Sequence, residues 1–598
     1  MFLRSTLRKK DGKAHRYFSV VENRRLTSGK VAQRTVLYLG EINDSQEIAW
    51  RKTLDVVDET AERATKLSLF AEDREIPADA VNAIQVKLSE MELRRARSFG
   101  DCWLGCEVWR ELGLQEFWES RLAEGREGVA WVKVLQLLVV NRLIDPGSEF
   151  RVHRQWFDQS AMDELLGEDF AVAEKDRLYR CLDRLLAHKK DLFVFLKERW
   201  RNLFNAQYEV LLYDLTSTYF EGEAENIAKA KRGYSRDGRP DCLQLVIALV
   251  VTTDGFPLAY EVMDGNTSDR TTLRGFLARI EATYGKAERM WVMDRGIPTE
   301  AILSEMRDPE RKIQYLVGTP RGKINKLEKQ WLELPWQKVR ESVEVKLWSE
   351  GEELFVLAKS EGRRAKEIAI RRKKLVRYLR SLRAMRHSLP SRDQLMMRIG
   401  AARSKAGRAA GYVNLRLPGK DEPVTRESFS FVSDKEKRRK AELRDGHYLL
   451  RSNVTCGDPA VLWERYVQLT EIEAVFKCLK SDLAIRPIFH QLAHRVEAHI
   501  LVAFLAYCLI VTLKQRLKVH APGLTPKAVI EKLGAIQMLD VWLPTTDGRF
   551  LIMPRYTQPD LDQTLLLKKL SLRLPHQPPP RIRGAQTGQK TGTEGLKL

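Results

Sequence analysis

Three acidic residues stand in sequence contexts that suit the binding of divalent metal ions. Asp214 ends one apolar run and Asp294 ends a second, as expected of residues at the ends of buried strands. Glu473 lies on a long amphipathic segment, with Tyr466 one heptad before it and Lys480 one heptad after it. Three carboxylates that converge from two strand ends and a helix can hold two divalent cations, which can cut and rejoin a phosphodiester backbone. These residues therefore predict a metal-dependent enzyme that processes DNA.

Magnesium is the metal that this set of ligands favours. Mg²⁺ takes near-octahedral oxygen ligation and keeps several waters and substrate oxygens, so a few carboxylates suffice. With two ions, one activates the attacking water or 3′-hydroxyl and the other stabilises the leaving oxygen. We expect Asp214 to bridge both ions and Asp294 and Glu473 to complete one site each. Taken singly, each residue also fits a structural role, as a turn-capping Asp or as a Glu beside a Lys on a helix surface.

The elements that must position these residues follow from the hydrophobic pattern. The pattern predicts three strands, a helix, a strand, a helix and a strand, which is the order of a ribonuclease H-like α/β core. In that fold the first and fourth strands lie side by side, so Asp214 and Asp294 are expected to meet at one edge. The predicted strands are residues 210–213, 243–252, 257–263, 290–293 and 313–317, and the predicted helices run from 269 to about 284 and from 298.

The predicted architecture is a ribonuclease H-like catalytic core interrupted by a basic, partly β insertion, with a mostly helical N-terminal region. At 598 residues the chain is too long for one core. The N-terminal part is divided into a strand-rich basic unit at 1–45, with a hairpin over 16–22 and 33–39, and a helical region for DNA binding or dimerisation at 46–205. The catalytic core comprises a first part at 206–320 and a second part with the Glu473 helix at 446–515, and the basic insertion at 321–445 separates them. A C-terminal region follows at 516–598, with a tail expected to be disordered from His576.

The positive charge is concentrated in the insertion. The formal net charge is +21, and residues 321–444 alone hold 33 Lys and Arg against 16 Asp and Glu. A localised basic block is the electrostatic footprint of a polyanionic partner. For the run 371–380 alone, a solvated charged helix surface is an equally good interpretation.

Neither a membrane protein nor a secreted protein is indicated. The longest apolar stretch, residues 498–513, is shorter than the roughly 20 residues that a bilayer span needs, and we interpret it as a buried helix. The N-terminus has no apolar signal core. The seven cysteines are scattered without the spacing of a zinc site, which fits reduced thiols in the cytoplasm.

At these residues the chain resembles the DDE transposases of bacterial insertion sequences. It is most similar to the long-chain branch of the IS-four superfamily, whose signature is Tyr-x2-Arg-x3-Glu-x6-Lys. Here that signature is Tyr466, Leu469, Glu473 and Lys480, so a leucine replaces the arginine, and Arg465 or Lys477 is the candidate substitute. The second-aspartate motif, Asp-x-Gly, occurs at residues 294–296, although the aromatic residue expected shortly after it is absent. Further similar stretches are 213–217, 233–237, 265–269 and 486–490.

The resemblance implies DNA transposition by hydrolysis and transesterification with Mg²⁺ or Mn²⁺. Its implied partners are terminal inverted repeats and target DNA, bound by a homodimer in a synaptic complex, which in a bacterium would act in the cytoplasm at the nucleoid. It also implies a mostly β insertion whose tryptophan can stack on a flipped base. The candidates for that stacking are Trp331, Trp336 and Trp348, although tryptophans of this kind are commonly core residues.

The residues expected to contact DNA share a cationic or phenolic side chain close to the motifs. They are Tyr466, Lys477, Lys480, Arg232 and Arg295. Two alternative functions stay open at this point. One is a ribonuclease H-like nuclease that cleaves without strand transfer. The other is a non-catalytic DNA-binding derivative, which the intact acidic triad disfavours.

Overall fold

The computed structural model describes most of the chain. The described residues are 2–10, 13–25, 31–42, 55–57, 64–66, 84, 86–122, 128–284, 289–294, 297–308, 313–319, 334–340, 343–419, 422–443, 445–455 and 458–584. Backbone contacts divide the chain into two units. The first comprises Met1–Glu111, Ala123–Leu178 and Arg516–Leu598, and the second comprises Leu112–Leu122 and Tyr179–Gln515.

The N-terminal end of the first unit is built from strands. An antiparallel meander of β1 (Phe2–Lys10), β2 (Lys13–Arg25) and β3 (Val31–Glu41) includes the predicted hairpin, in which Val20 pairs with Leu37. The basic turn predicted between the two hairpin strands lies outside the described residues. Short strands β4 (Asp55–Val57) and β5 (Ala64–Lys66) pair with each other, and β6 (Glu92–Ser98) follows a 3₁₀ turn at Leu88–Glu90. The prediction of a helical region from residue 46 is wrong for β4, β5 and β6.

From Gly100 the prediction of a helical region is confirmed. A turn at 145–148 interrupts it, and Asp145 in that turn accepts two hydrogen bonds from Arg151. The helical segments are Gly100–Glu111, Leu114–Glu119, Trp131–Ile144, Glu149–Arg151, Val152–Trp156, Phe157–Gln159, Met162–Leu166, Phe170–Ala173, Lys175–Leu185, Leu186–His188 and Lys189–Phe204.

The second unit contains a nine-stranded sheet. Its strands are β7 (Val210–Tyr219), β8 (Gln244–Thr252), β9 (Pro257–Asp264), β10 (Arg289–Met293), β11 (Ile313–Thr319), β12 (Gln337–Arg340), β13 (Val343–Glu350), β14 (Glu353–Ser360) and β17 (His447–Ser452). Two further strands, β15 (Val413–Arg416) and β16 (Ser430–Ser433), lie between β14 and β17 in the sequence and pair with each other. The order across the sheet is β12-β13-β14-β17-β11-β10-β7-β8-β9.

The centre of this sheet agrees with the predicted element order. The fourth predicted strand, β10, pairs in parallel with the first, β7, and with the fifth, β11. Helices at Asp269–Tyr284 and Glu300–Met306 connect these strands, and the first of them packs on the apolar core through Phe276. Strand β7 is longer than predicted, because β8 pairs antiparallel with it as far as Tyr219. Asp214 therefore lies in the middle of a strand, and its prediction as a strand end is wrong.

The insertion differs from the expectation of a mostly β domain. Its first three strands, β12 to β14, extend the central sheet beyond β17. Its largest elements are the predicted basic helix, which is the 28-residue Glu361–Ser388, and the 15-residue helix Arg392–Ala406; a shorter helix follows at Lys435–Glu442. Leu375, Tyr378 and Phe429 belong to a separate apolar core among these helices and the β15–β16 pair.

The Glu473 segment is not one regular amphipathic helix. It consists of the helices Pro459–Val467 and Leu469–Lys477, followed by a π-helical turn at Cys478–Asp482. The next helix, Ala493–His520, contains the apolar stretch. It has the length and hydropathy of a membrane span, yet 89% of its apolar window is buried inside the protein. This confirms the prediction of a buried helix.

The C-terminal part completes a second sheet in the first unit. The helix Pro526–Gly534 precedes β18 (Gln537–Pro544) and β19 (Phe550–Tyr556), and the helix Leu561–Lys569 precedes β20 (Arg581–Arg583). These strands form a four-stranded sheet in the order β20-β19-β18-β6. The expectation of disorder from His576 is wrong for residues 576–584, because β20 pairs with β19; the rest of the predicted tail lies outside the described residues.

Candidate active site

The register of two parallel strands places Asp214 beside Asp294. Tyr213 of β7 pairs with Met293 of β10, and each aspartate is the next residue in its chain. Neighbouring strands lie about 4.8 Å apart. Tyr213 and Leu215 are buried in the apolar core, so Asp214 between them projects from the opposite face of the sheet.

The third acidic residue reaches the same place from a helix. The helix Leu469–Lys477 packs against β7 through a face that includes Ile472, Val475 and Phe476, all of them buried. With 3.6 residues per turn, this burial leaves Glu473 exposed on the adjoining face. The side chain of Glu473 makes no hydrogen bond or ion pair with any residue that the structure describes.

All three carboxylates line one cavity of about 240 Å³. The sequence analysis expected them to converge, and the structure brings them together. The other residues that line the cavity come from β11, from the start of the long basic helix, from β17 and from the two helices around Glu473. They are Gly318, Thr319, Arg363, His447, Tyr448, Leu449, Trp463, Tyr466, Val467, Leu469, Thr470 and Ile472.

Three aromatic rings form one wall of the cavity. Tyr448 contacts Trp463 edge-on at 5.2 Å between ring centroids, and Tyr466 lies 6.2 Å from Tyr448 and 6.3 Å from Trp463. Edge-on and tilted packing of this kind stabilises aromatic clusters. The wall gives the cavity an apolar, planar side next to its acidic side, and such a surface suits a nucleotide base or sugar.

One arginine is the strong cation of the cavity. Arg363, in the first turn of Glu361–Ser388, is the only Lys or Arg among the described residues that line it. Its Nε donates to Glu367 at 2.9 Å, its Nη1 donates to the hydroxyl of Tyr448, and its guanidinium stacks 4.0 Å from the centroid of the Tyr448 ring. Burial lowers the pKa of Arg363, but the bonds to Glu367 and Tyr448 outweigh it and raise that pKa overall, so the side chain is cationic.

The set of donors in the cavity fits divalent metal ions. Three carboxylates supply only oxygen ligands, which Mg²⁺ prefers. Carboxylates that share a site repel one another unless cations separate them. Arg363 alone does not balance three negative charges, so the residues Asp214, Asp294 and Glu473 are suited to holding the metal.

Lys480 does not lie where the sequence analysis expected it. It was predicted to be exposed on the Glu473 face, but its side chain is 11% exposed and donates to Asp237 at 2.8 Å. Burial lowers the pKa of Lys480, and Asp237 partly compensates. The π-helical turn explains the error, because its wider turn breaks the seven-residue alignment with Tyr466 and Glu473.

The other predicted DNA contacts have mixed positions. Tyr466 lines the cavity as expected. Lys477 and Arg232 are exposed but do not line it, and Arg295 lies outside the described residues.

Neither of the two candidate tryptophans that the structure describes is part of the cavity wall. Trp331 lies outside the described residues. Trp348 packs 5.4 Å from Phe355 in a small apolar cluster, in line with a core role. Trp336 is 37% exposed, stands 6.0 Å from His447, and has Lys346 4.8 Å from its ring. The sequence analysis missed Trp463, although its position one turn before Tyr466 indicates the same helix face. It also missed Arg363, since nothing local marks one arginine of a basic helix.

Two family models match parts of the chain. A family model described as a transposase DDE domain matches residues 205–509, which is just over half of the chain and includes all three carboxylates. A second model, described as the N-terminal domain of IS1634 family transposases, matches residues 3–66. No curated protein matches the chain. Among solved structures, the chain is similar to a cryo-EM structure of a piggyBac transposase synaptic complex with hairpin DNA, with 8% identity over 74% of this chain and 82% of that chain and a TM-score of 0.34.

Proposed function

The chain belongs to the family of transposases with a DDE domain and is a DNA transposase, and we propose that Asp214, Asp294 and Glu473 are its metal-binding catalytic carboxylates. The observation that carries this proposal is that these three residues, far apart in sequence, line one cavity. The parallel pairing of β10 with β7 and β11, and the antiparallel pairing of β8 and β9, support a ribonuclease H-like assignment of the core. The signature residues Tyr466 and Glu473 on one cavity support membership in the IS-four superfamily.

The chemistry that we propose needs positioning more than covalent work by the protein. Bound Mg²⁺ or Mn²⁺, two ions in all, would supply an activated oxygen nucleophile and stabilise charge on the phosphate. Asp214 lies between the other two carboxylates in this scheme, because β7 is flanked by β10 on one side and by the Glu473 helix on its face. The aromatic wall of Tyr448, Trp463 and Tyr466 would orient the nucleotide beside the scissile phosphate.

The partners in this proposal are double-stranded terminal repeats and target DNA, held by a homodimer in a synaptic complex in the bacterial cytoplasm. The basic helix Glu361–Ser388 supports an extended DNA contact, since it has eleven Lys and Arg against two Asp and Glu and begins at the cavity. Phosphate contacts of this type give affinity without sequence information.

The experiment that tests the proposal uses the purified full-length protein, Mg²⁺ and a plasmid that carries the DNA flanking its gene. The matched control is the Asp294→Ala protein. We expect breaks at the ends of the element and joined products with the wild type, and neither with the variant. Breaks that are metal-dependent but unspecific and unjoined would instead identify a nuclease. Binding without cleavage would identify a non-catalytic derivative.

A further inference from the structure

The cavity has one unusual position, Leu469. It stands one helical turn before Glu473 and lines the cavity with an apolar side chain, where the signature has an arginine. A scissile phosphate brings negative charge to a wall that already has three carboxylates, so a fixed cation from the protein would stabilise the complex in addition to the metal ions.

Neither of the two candidates near Leu469 supplies that cation. Arg465 directs its Nη1 to the sulfur of Met290 at 3.5 Å, away from the cavity. Lys477 is exposed on the helix that carries Glu473, and it does not line the cavity.

Arg363 offers such a cation among the residues that line the cavity. Two of its nitrogens are held, Nε by Glu367 and Nη1 by Tyr448, while its Nη2 makes no hydrogen bond with any described residue. The side chain is 40% exposed, so its free edge is accessible. A planar guanidinium fixed in this manner is pre-organised for an oxygen of a phosphate.

The anchoring of Arg363 also ties it to the catalytic sheet. Glu367, which holds Nε, accepts a second hydrogen bond from the backbone of Gly446 at 3.1 Å, directly before β17. Tyr448, which holds Nη1, belongs to β17 itself. Arg363, a residue of the insertion, is thereby fixed to the sheet that positions Asp214 and Asp294.

We propose that Arg363 binds a non-bridging oxygen of the scissile phosphate and replaces the cation that Leu469 lacks. This inference rests on the proposed function, and it makes the insertion a contributor to the catalytic site. It requires Arg363 to bind a negatively charged oxygen of that one phosphate.

The test compares cleavage of two DNA ends, one natural and one with an uncharged methylphosphonate at the scissile position. Arg363→Ala is compared with the wild type and with Lys568→Ala, a matched loss of charge at an exposed residue that does not line the cavity and lies outside the basic helix. We expect Arg363→Ala to slow cleavage of natural DNA about 10- to 100-fold, the value of a charge-assisted hydrogen bond. Replacing the natural phosphate with the methylphosphonate should slow cleavage by Arg363→Ala much less than it slows cleavage by the wild type. Leu469→Arg in the Arg363→Ala background should restore part of the rate.

Two results would overturn the inference. One is cleavage of natural DNA by Arg363→Ala at the wild-type rate. The other is an equal methylphosphonate penalty in both proteins. Arg363→Met, which keeps an unbranched side chain but removes the charge, replaces the alanine variant in the same comparison if the latter fails to fold. Absence of cleavage by the wild type itself would instead contradict the proposed function, so the two failures are distinguishable.

Discussion

Lys480 donates a hydrogen bond to Asp237 at 2.8 Å, and the two side chains are 11% and 4% exposed. Arg486 is a second cation on the same carboxylate. The pair connects the π-helical turn after the Glu473 helix to the loop between β7 and β8. Lys480 therefore fixes the end of the segment that carries Glu473 from inside the protein.

The first prediction concerns the stability that this ion pair supplies. Replacing Lys480 with Met leaves the buried Asp237 with Arg486 alone, and removing one partner of a buried pair costs about 3–5 kcal/mol. We expect a loss near the lower end of that range, because Arg486 remains. Denaturant unfolding, followed by a probe in the Glu473 region, measures it.

The matched control for Lys480→Met is Lys477→Met, which removes an exposed charge from the same segment. It should leave the unfolding midpoint unchanged. If Lys480→Met unfolded with the wild-type midpoint and only DNA binding weakened, Lys480 would contact a phosphate as the sequence alone suggested.

Sequence reasoning succeeded where the signal was local. Short apolar runs that each contain a valine precede Asp214 and Asp294, so their strands were predicted from the pattern. Their neighbouring positions in the sheet were predicted from the order of the elements. It failed where a distant partner decides the structure. Strand β6 forms because β18, more than 400 residues later, pairs with it, and the charged sequence of β6 has no strand signal of its own.

The errors at the site have similar causes. The alignment of Lys480 with Glu473 assumed a regular helix, and the π-helical turn that breaks it has no simple sequence signal. The role that we propose for Arg363 depends on Tyr448 and Glu367, which hold its side chain at the cavity. That arrangement is a property of tertiary packing, and no spacing rule reveals it.

The second prediction concerns the three carboxylates. Asp214→Asn, Asp294→Asn and Glu473→Gln should each reduce cleavage about 1000-fold or more, since a metal ion supplies several kcal/mol of charge stabilisation in such reactions. Binding to DNA ends should persist, because phosphate contacts by Lys and Arg elsewhere supply the affinity. Gel-based cleavage and anisotropy binding assays measure the two effects.

A fold control accompanies each of these variants, namely the melting temperature with and without Mg²⁺. Mg²⁺ should raise the melting temperature of the wild type, because a ligand that binds only the native state stabilises it. The increase should be lost in Asp214→Asn. Wild-type cleavage by any one variant would remove that residue from the proposed metal site.

The third prediction is a pH dependence that comes from Lys189. Burial lowers the pKa of Lys189 to about 8, although Glu497 and Glu261 oppose the shift, and its ammonium lies 3.8 Å from the ring of Tyr260. Between pH 8 and the usual lysine value near 10.4, the unfolded chain binds more protons than the folded one at this group. The contribution of Lys189 to stability therefore rises with pH across that window.

The variant Lys189→Met isolates this contribution from the buried tyrosines, whose titration affects both proteins. We expect the difference in unfolding free energy, wild type minus variant, to shift in favour of the wild type as the pH rises from 8 to 10. Denaturant unfolding at three pH values measures it. A constant difference would show that Lys189 titrates normally in the folded protein.

The last prediction concerns the outward face of the helix Glu361–Ser388. Its buried face includes Leu375, Tyr378 and Leu382, whereas Arg377 and Arg380 are exposed and one turn apart. At 1.5 Å per residue, the 28 residues extend about 42 Å, similar to 12 base pairs of DNA. A DNA duplex that leaves the cavity along this helix would place phosphates against both arginines.

Replacing Arg377 and Arg380 with alanine should weaken binding to every DNA sequence alike and lower the slope of log affinity against log salt by up to about 2, since each phosphate contact contributes about 0.9. The double variant of Lys568 and Lys569, exposed at the end of a helix in the other unit, removes the same charge as a control. Measuring the DNA affinity of both double variants from 50 to 200 mM salt gives the slope for each. An equal change in slope for both variants would show that net charge, and not this helix face, determines the affinity; a specific change would assign the face to the DNA path.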